Sequence, residues 1–270
     1  MKKNLYLPKL LANTLFCSSL LLGISLWQKP VNAQFRLSPM YIEMQGGQRK
    51  NAGSITIENT GSKPSRIRLF TTAFTYNQEG TFQGLSKGDT SDLTPYLQYS
   101  PKEMVLPPNT ARNVRLVSIL PPSLPDGEYR VAIFAETLTE VSNSDNLKIG
   151  IKANIGAAIY VRKGNLSPNL SLESAKFNPQ NKELRLLVHN HGTATARPRI
   201  DWQLMQGEKE VSQGMIGSSF LPNSQVNLLL NKPDKLKSNL SPGTYQLRGK
   251  ISWQQEGKSK EIPLIMDVSF

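Results

Sequence analysis

Cysteine is almost missing from this chain. The only one, Cys17, lies near the amino terminus, so no disulfide can close within the chain and its core alone must hold it together. The same absence removes a thiolate nucleophile and any cysteine-based metal site. Histidine is nearly as scarce, with two in 270 residues. Beyond Trp27 no apolar run approaches the ~20 residues a membrane helix needs, so no stable membrane insertion is expected. Acidic residues are outnumbered, 20 against 32 Lys and Arg, for a formal net charge of +12. That excess is scattered singly along strand-like segments and no nucleic-acid motif accompanies it, so it reads as a basic soluble surface with no nucleic-acid partner.

What is present begins with an export signal. Lys2 and Lys3 precede an apolar stretch from about Leu10 to Trp27, and Val31-Asn32-Ala33 offers small residues where a signal peptidase cuts. Cleavage is expected between Ala33 and Gln34. Thr14-Leu15-Phe16 before Cys17 does not fit a lipoprotein site. Removing 33 of 270 residues leaves 237, a length for one or two domains. Four lysines (Lys2, Lys3, Lys9, Lys29) leave with the signal and no acid does, so the charge falls from +12 to +8.

The remaining chain is one unit written twice. Ile55-Thr56-Ile57-Glu58-Asn59-Thr60-Gly61 reappears as Leu186-Leu187-Val188-His189-Asn190-His191-Gly192. Alternation running into Asn-x-Gly is a strand entering a turn, because Asn and Gly tolerate the backbone such turns need. Leu106-Pro107-Pro108-Asn109-Thr110 before Val114-Arg115-Leu116-Val117 is matched by Leu221-Pro222-Asn223-Ser224 before Val226-Asn227-Leu228-Leu229. Leu124-Pro125-Asp126-Gly127-Glu128-Tyr129 is matched by Leu240-Ser241-Pro242-Gly243-Thr244-Tyr245. Short β-branched and aromatic runs lie between these marks, with no sustained helical period. The pattern predicts an all-β protein of two immunoglobulin-like β-sandwich domains, 34–163 and 164–270, with a long polar loop over 77–98.

Chemistry-bearing constellations are hard to find. His189 and His191 form a His-x-His pair, but no cysteine and no nearby acidic pair completes a metal site, and none is expected. Neither histidine has a nucleophile-elbow serine to pair with, and Gly46-Gly47 lacks the lysine and helix of a phosphate loop. No catalytic residue, cofactor or enzymatic activity is expected.

One element stands out. From Leu147 to Arg162 the odd positions are Leu147, Ile149, Ile151, Ala153, Ile155, Ala157, Ile159 and Val161, all apolar, while the even ones are mostly polar or small. Sixteen alternating residues make a strand of about 50 Å, far beyond the usual five or six residues. Either a partner covers part of its apolar row, or glycines such as Gly150 and Gly156 bend it to serve as core in two sheets. The pattern alone leaves both open.

In this order the marks resemble the periplasmic pilus-assembly chaperones of the chaperone–usher pathway. The similarity runs from the early strand Phe35–Met44 through Asn59-Thr60-Gly61 with Pro64, Tyr99-Ser100-Pro101, Leu106-Pro107-Pro108 and Leu124-Pro125-Asp126. It ends on the long strand at Ile159-Tyr160-Val161-Arg162. The resemblance implies two sandwiches set at an angle, a periplasmic location, a secreted pilin-like subunit as partner and an outer-membrane usher behind it. It also implies that Leu147, Ile149, Ile151 and Ala153 are donated into a groove of the subunit. Such chaperones anchor the subunit's terminal carboxylate with an arginine on the first strand and a lysine late in the long one. Those positions fall near Met40-Tyr41 and Ala157-Ala158, neither cationic, which leaves Arg36, Arg162 and Lys163 as the candidates for the cleft. The alternative reading is a structural or adhesive cell-envelope protein that uses immunoglobulin-like domains as a binding scaffold.

Overall fold

The computed structural model describes residues 35–46, 51–85, 89–142, 148–231, 240, 243–255 and 257–269. The export signal, its cleavage after Ala33, and Leu147 lie outside the described residues. Of Ile149 and Ile151, only the backbone is described.

Every regular element among the described residues is a strand, apart from one 3-10 turn at Thr94–Tyr96. No helix there is long and apolar enough to cross a membrane. In chain order the first eleven strands are β1 (Phe35–Ser38), β2 (Tyr41–Gly46), β3 (Asn51–Asn59), β4 (Ser65–Thr72), β5 (Phe74–Tyr76) and β6 (Phe82–Gly84), then β7 (Leu97–Ser100), β8 (Glu103–Leu106), β9 (Thr110–Ser118), β10 (Gly127–Ser142) and β11 (Lys148–Lys163). The remaining seven are β12 (Leu170–Asn178), β13 (Glu183–Asn190), β14 (Arg199–Gln206), β15 (Lys209–Gly217), β16 (Ser224–Leu229), β17 (Tyr245–Gln255) and β18 (Lys258–Ser269).

The first sandwich faces a four-stranded sheet, β1-β3-β9-β7, against a five-stranded one, β2-β11-β10-β4-β8. Alternation supplies its core: Ile55 and Ile57, Ile67 and Leu69, Val114 and Leu116, Val131 and Ile133, and Ala157, Ile159 and Val161 are all buried. Each large aliphatic side chain contributes about 1.5–3 kcal/mol on burial. Pro39 lies between β1 and β2, and there the chain leaves one sheet for the other. Lacking an N–H, proline cannot extend a ladder, which suits it to that crossing.

The second sandwich is one seven-stranded sheet, β15-β14-β17-β18-β12-β13-β16, curled around its own core of Leu184, Leu186, Val188, Ile200, Trp202, Leu204, Leu247, Ile251 and Leu264. Among the described residues two parallel rungs, Ala175↔Val268 and Lys176↔Ser269, join its halves.

The internal repeat is structural. Asn59 donates from Nδ2 to the carbonyls of Lys63, Leu106 and Pro107, and its Oδ1 accepts from Gly61 N. Asn190 does the same with Ala194, Phe220, Leu221 and Gly192 N. Asn109 and Asn223 hold left-handed turns at φ 54° and 52°. Thr110 and Ser224 each donate three residues back, to Pro107 O and Leu221 O. Tyr129 OH donates to Pro125 O at 2.6 Å, tying a corner as in other immunoglobulin-like sandwiches.

One segment departs from expectation. Residues 77–98 are not one polar loop: β5 and β6 pair as a hairpin, and Leu93 is buried. Three-residue strands are too short for alternation to show. The hairpin spends its aromatics on packing, with Phe82 stacked on Phe74 and edge-on to Phe134.

Candidate functional site: an open strand edge and an interdomain cluster

β10 and β11 pair along their whole length, from Gly127↔Lys163 to Ser142↔Lys148. Their outer neighbours stop short. β4 covers β10 only over Ala132–Thr137, and β2 covers β11 only over Ala158–Lys163. The hairpin therefore runs past its sheet as a two-stranded ribbon. Over residues 148–157 one edge of β11 has no described ladder partner, and ten residues of open edge span about 33 Å. Exposed edges of this kind accept added strands.

The structure divides the long alternating strand in two. Ala157, Ile159 and Val161 are core, and Ile155 packs partly against it. Ala153 and Asn154, by contrast, are exposed. The opposite face of the carboxy-terminal half is also occupied, since Tyr160 is buried in a cluster with Phe74, Ala132 and Leu221. Gly156 is required where the halves meet. A Cβ there would come within 2.6 Å of the Phe134 ring, which lies across the strand and stacks on Phe70 at 5.4 Å.

The three candidate cations are not brought together. Arg36 is exposed on β1 and pairs with Glu58 at 3.2 Å. Lys163 donates to the carbonyls of Pro121, Pro122 and Leu124. Arg162 does lie between the sandwiches. Its Nε donates to Glu128 at 3.0 Å and its Nη2 to Glu43 at 3.3 Å and to Thr195 O at 2.8 Å. Glu128, whose side chain is 0% exposed, also accepts from Thr195 N at 2.8 Å and from its hydroxyl.

A fourth cation, Arg197, comes from the second sandwich and carries no sequence signal of its own. Its guanidinium lies between the rings of Tyr41 and Tyr160, at 4.4 and 4.1 Å, and donates to Glu43. Burial pushes its pKa down to about 10, with Tyr41 acting in the opposite direction, so it remains charged at neutral pH. Its Nη2 is buried without an acceptor. Tyr41 and Ala158 are direct register partners. Arg197 therefore reaches, from the other domain, the place where the resemblance puts a first-strand cation.

No protein-family model matches the chain, and no curated protein does. Among solved structures it is similar to the YadV chaperone, with 14% identity, a TM-score of 0.50, and coverage of 87% of this chain and 100% of that one. It is also similar to a chain of the Salmonella enterica SafA pilin–SafB chaperone complex, with 13% identity, a TM-score of 0.49, and coverage of 85% and 96%. A chain of the CsuC–CsuE chaperone–tip subunit pre-assembly complex of Acinetobacter baumannii matches at 16% identity and a TM-score of 0.46, over 88% and 99%. The likeness to YadV shows a shared fold of two immunoglobulin-like sandwiches.

Proposed function

We propose that this chain is a periplasmic chaperone of the chaperone–usher type, a binding protein rather than an enzyme, which caps a secreted pilin-like subunit by donating the free edge of β11. In this reading residues 1–33 direct export and are removed after Ala33, and the usher of the outer membrane receives the loaded complex. One observation carries the reading: the β10–β11 ribbon outruns its sheet, and over 148–157 the β11 edge has no partner strand among the described residues. The fold shared with YadV, itself a chaperone, supports it.

The donated residues are Leu147, Ile149, Ile151 and Ala153. Each large side chain buried in a subunit groove contributes about 1.5–3 kcal/mol before ordering costs, and the added strand satisfies the backbone of both chains. For the subunit carboxylate that the resemblance implies, Arg162 and Arg197 are the cations at hand, and Glu43 already holds both. An incoming carboxylate competes with that internal one, so the ribbon carries the grip.

The test is capture from host periplasm by the mature protein and by an Ile149→Asp/Ile151→Asp variant, each checked by thermal unfolding. A small secreted subunit held stoichiometrically by the wild type and lost by the folded variant is the expected result. Equal capture by both, or no stoichiometric partner, would favour the envelope-scaffold alternative. A variant that unfolds would make these positions core and remove the reading's main support.

A further inference from the structure

The second sandwich carries a side-chain cluster that strand donation does not use. His189 is the penultimate residue of β13 and His191 the first residue past its end, so strand alternation puts both on the outer face, with ring centroids 3.6 Å apart. Ser171 of β12 lies directly across from His189. The β12–β13 register then slips between Leu172 and Ser174, leaving Glu173 as an extra residue. Bulges of this kind re-aim side chains. Here Leu170 faces the core before the slip and Ala175 and Phe177 after it, so Glu173 and Ser174 both turn outward. Glu173 Oε1 comes to 3.7 Å from His191 Nε2, and one ligand atom from each of Glu173, His189 and His191 lies within 4.8 Å of the others. The acidic partner that the sequence does not reveal is supplied by the neighbouring strand.

We propose that Glu173, His189 and His191 form a binding site for a divalent late first-row transition ion such as Zn2+. Metal–ligand bonds of about 2.0–2.2 Å at a tetrahedral angle hold their donor atoms about 3.4 Å apart, a spacing that side-chain torsions reach from the one observed. Two imidazole nitrogens and a carboxylate favour such ions over Mg2+ and Ca2+, which prefer all-oxygen shells. Three protein ligands leave a coordination position open to water or to an exogenous ligand.

The scaffold is built for it. His191 N donates to Asn169 O at 2.8 Å, and the fully buried Asn190 between the histidines is held by its own bonds to the turn. Gly192 leaves no room for a Cβ, which would lie 2.4 Å from Ser167 O. Ser171 Oγ sits 2.6 Å from Glu173 Oε1 and 2.9 Å from His191 Nε2, steering the two toward one point. The first sandwich provides an internal control: its equivalent turn carries Glu58 and Thr60 in place of the histidines and keeps the same asparagine bonds. The turn itself does not require imidazole.

The experiment is isothermal titration of the untagged mature protein with ZnCl2 alone, beside Glu173→Gln and His189→Ala/His191→Thr, the threonine being taken from the first turn. One Zn2+ per chain is expected, weakened at least tenfold by Glu173→Gln and lost from the double variant. Thermal midpoints measured in a chelator should match the wild type, because Glu173 and His191 are exposed. No binding by the wild type, or undiminished binding by a folded double variant, would overturn the site. Because strand donation is tested by capture and this site by titration, either can fail alone.

Discussion

Two buried asparagines carry much of the local order. Asn59 and Asn190 each satisfy three carbonyls and an amide across a turn. Alanine at either position leaves several buried acceptors without donors, at ~1–3 kcal/mol each, so a loss on the order of 3 kcal/mol is expected in urea unfolding. Aspartate keeps the acceptor and loses the donors, so Asn190→Asp should cost nearly as much. A loss below about 1 kcal/mol for both variants would mean that the turns hold themselves, since that is the net value of one ordinary hydrogen bond. Gly156 is constrained by packing rather than by backbone angle. Gly156→Val should destabilise by about 1–3 kcal/mol through the Phe134 ring, and Phe134→Leu in the same chain should relieve part of it. The asparagines were legible because Asn-x-Gly is a local signature repeated at matching places. Arg197 was not, because its role depends on two tyrosines from another domain.

The β10–β11 ribbon gives the elements their unequal fates. β11 has the same alternation throughout, yet one half is core and the other has an edge with no partner strand among the described residues. The deciding fact is where β2 begins, at Tyr41, and that pairing is non-local and parallel. Length and stripe could therefore be read from the sequence, while the point of division could not. The same limit hid Glu173, whose approach to the histidines depends on a register slip in a different strand. Hydrogen exchange tests the open edge directly. Outward amides of residues 148–157 should exchange orders of magnitude faster than those of 158–163 in the free protein, and become protected in a subunit complex. Strong protection before any partner is added would show that the edge is already covered.

At the scale of the whole molecule, the joint between the sandwiches is part polar and part aromatic. Glu128 is buried against Arg162 of its own sandwich and Thr195 of the other, and Gln78 O accepts from Asn227 N at 2.6 Å. Removing one member of such a pair strands the other. Arg162→Met should cost about 3–5 kcal/mol, while adding Glu128→Gln should recover most of it. Chemical denaturation of the two single variants and the double measures this coupling, and strict additivity would place the pair outside the joint's energetics. The repeat made two domains readable from the chain, yet nothing in it marked that Thr195, Arg197 and Leu221 would complete the first domain's surface. This joint also restricts modular exchange. A second sandwich grafted from another protein would meet a buried carboxylate short of two hydrogen-bond donors and an aromatic face, and would fit only if it brought its own hydroxyl, guanidinium and aliphatic side chain to those three places. Such halves can diverge in sequence, but they must do so as a pair.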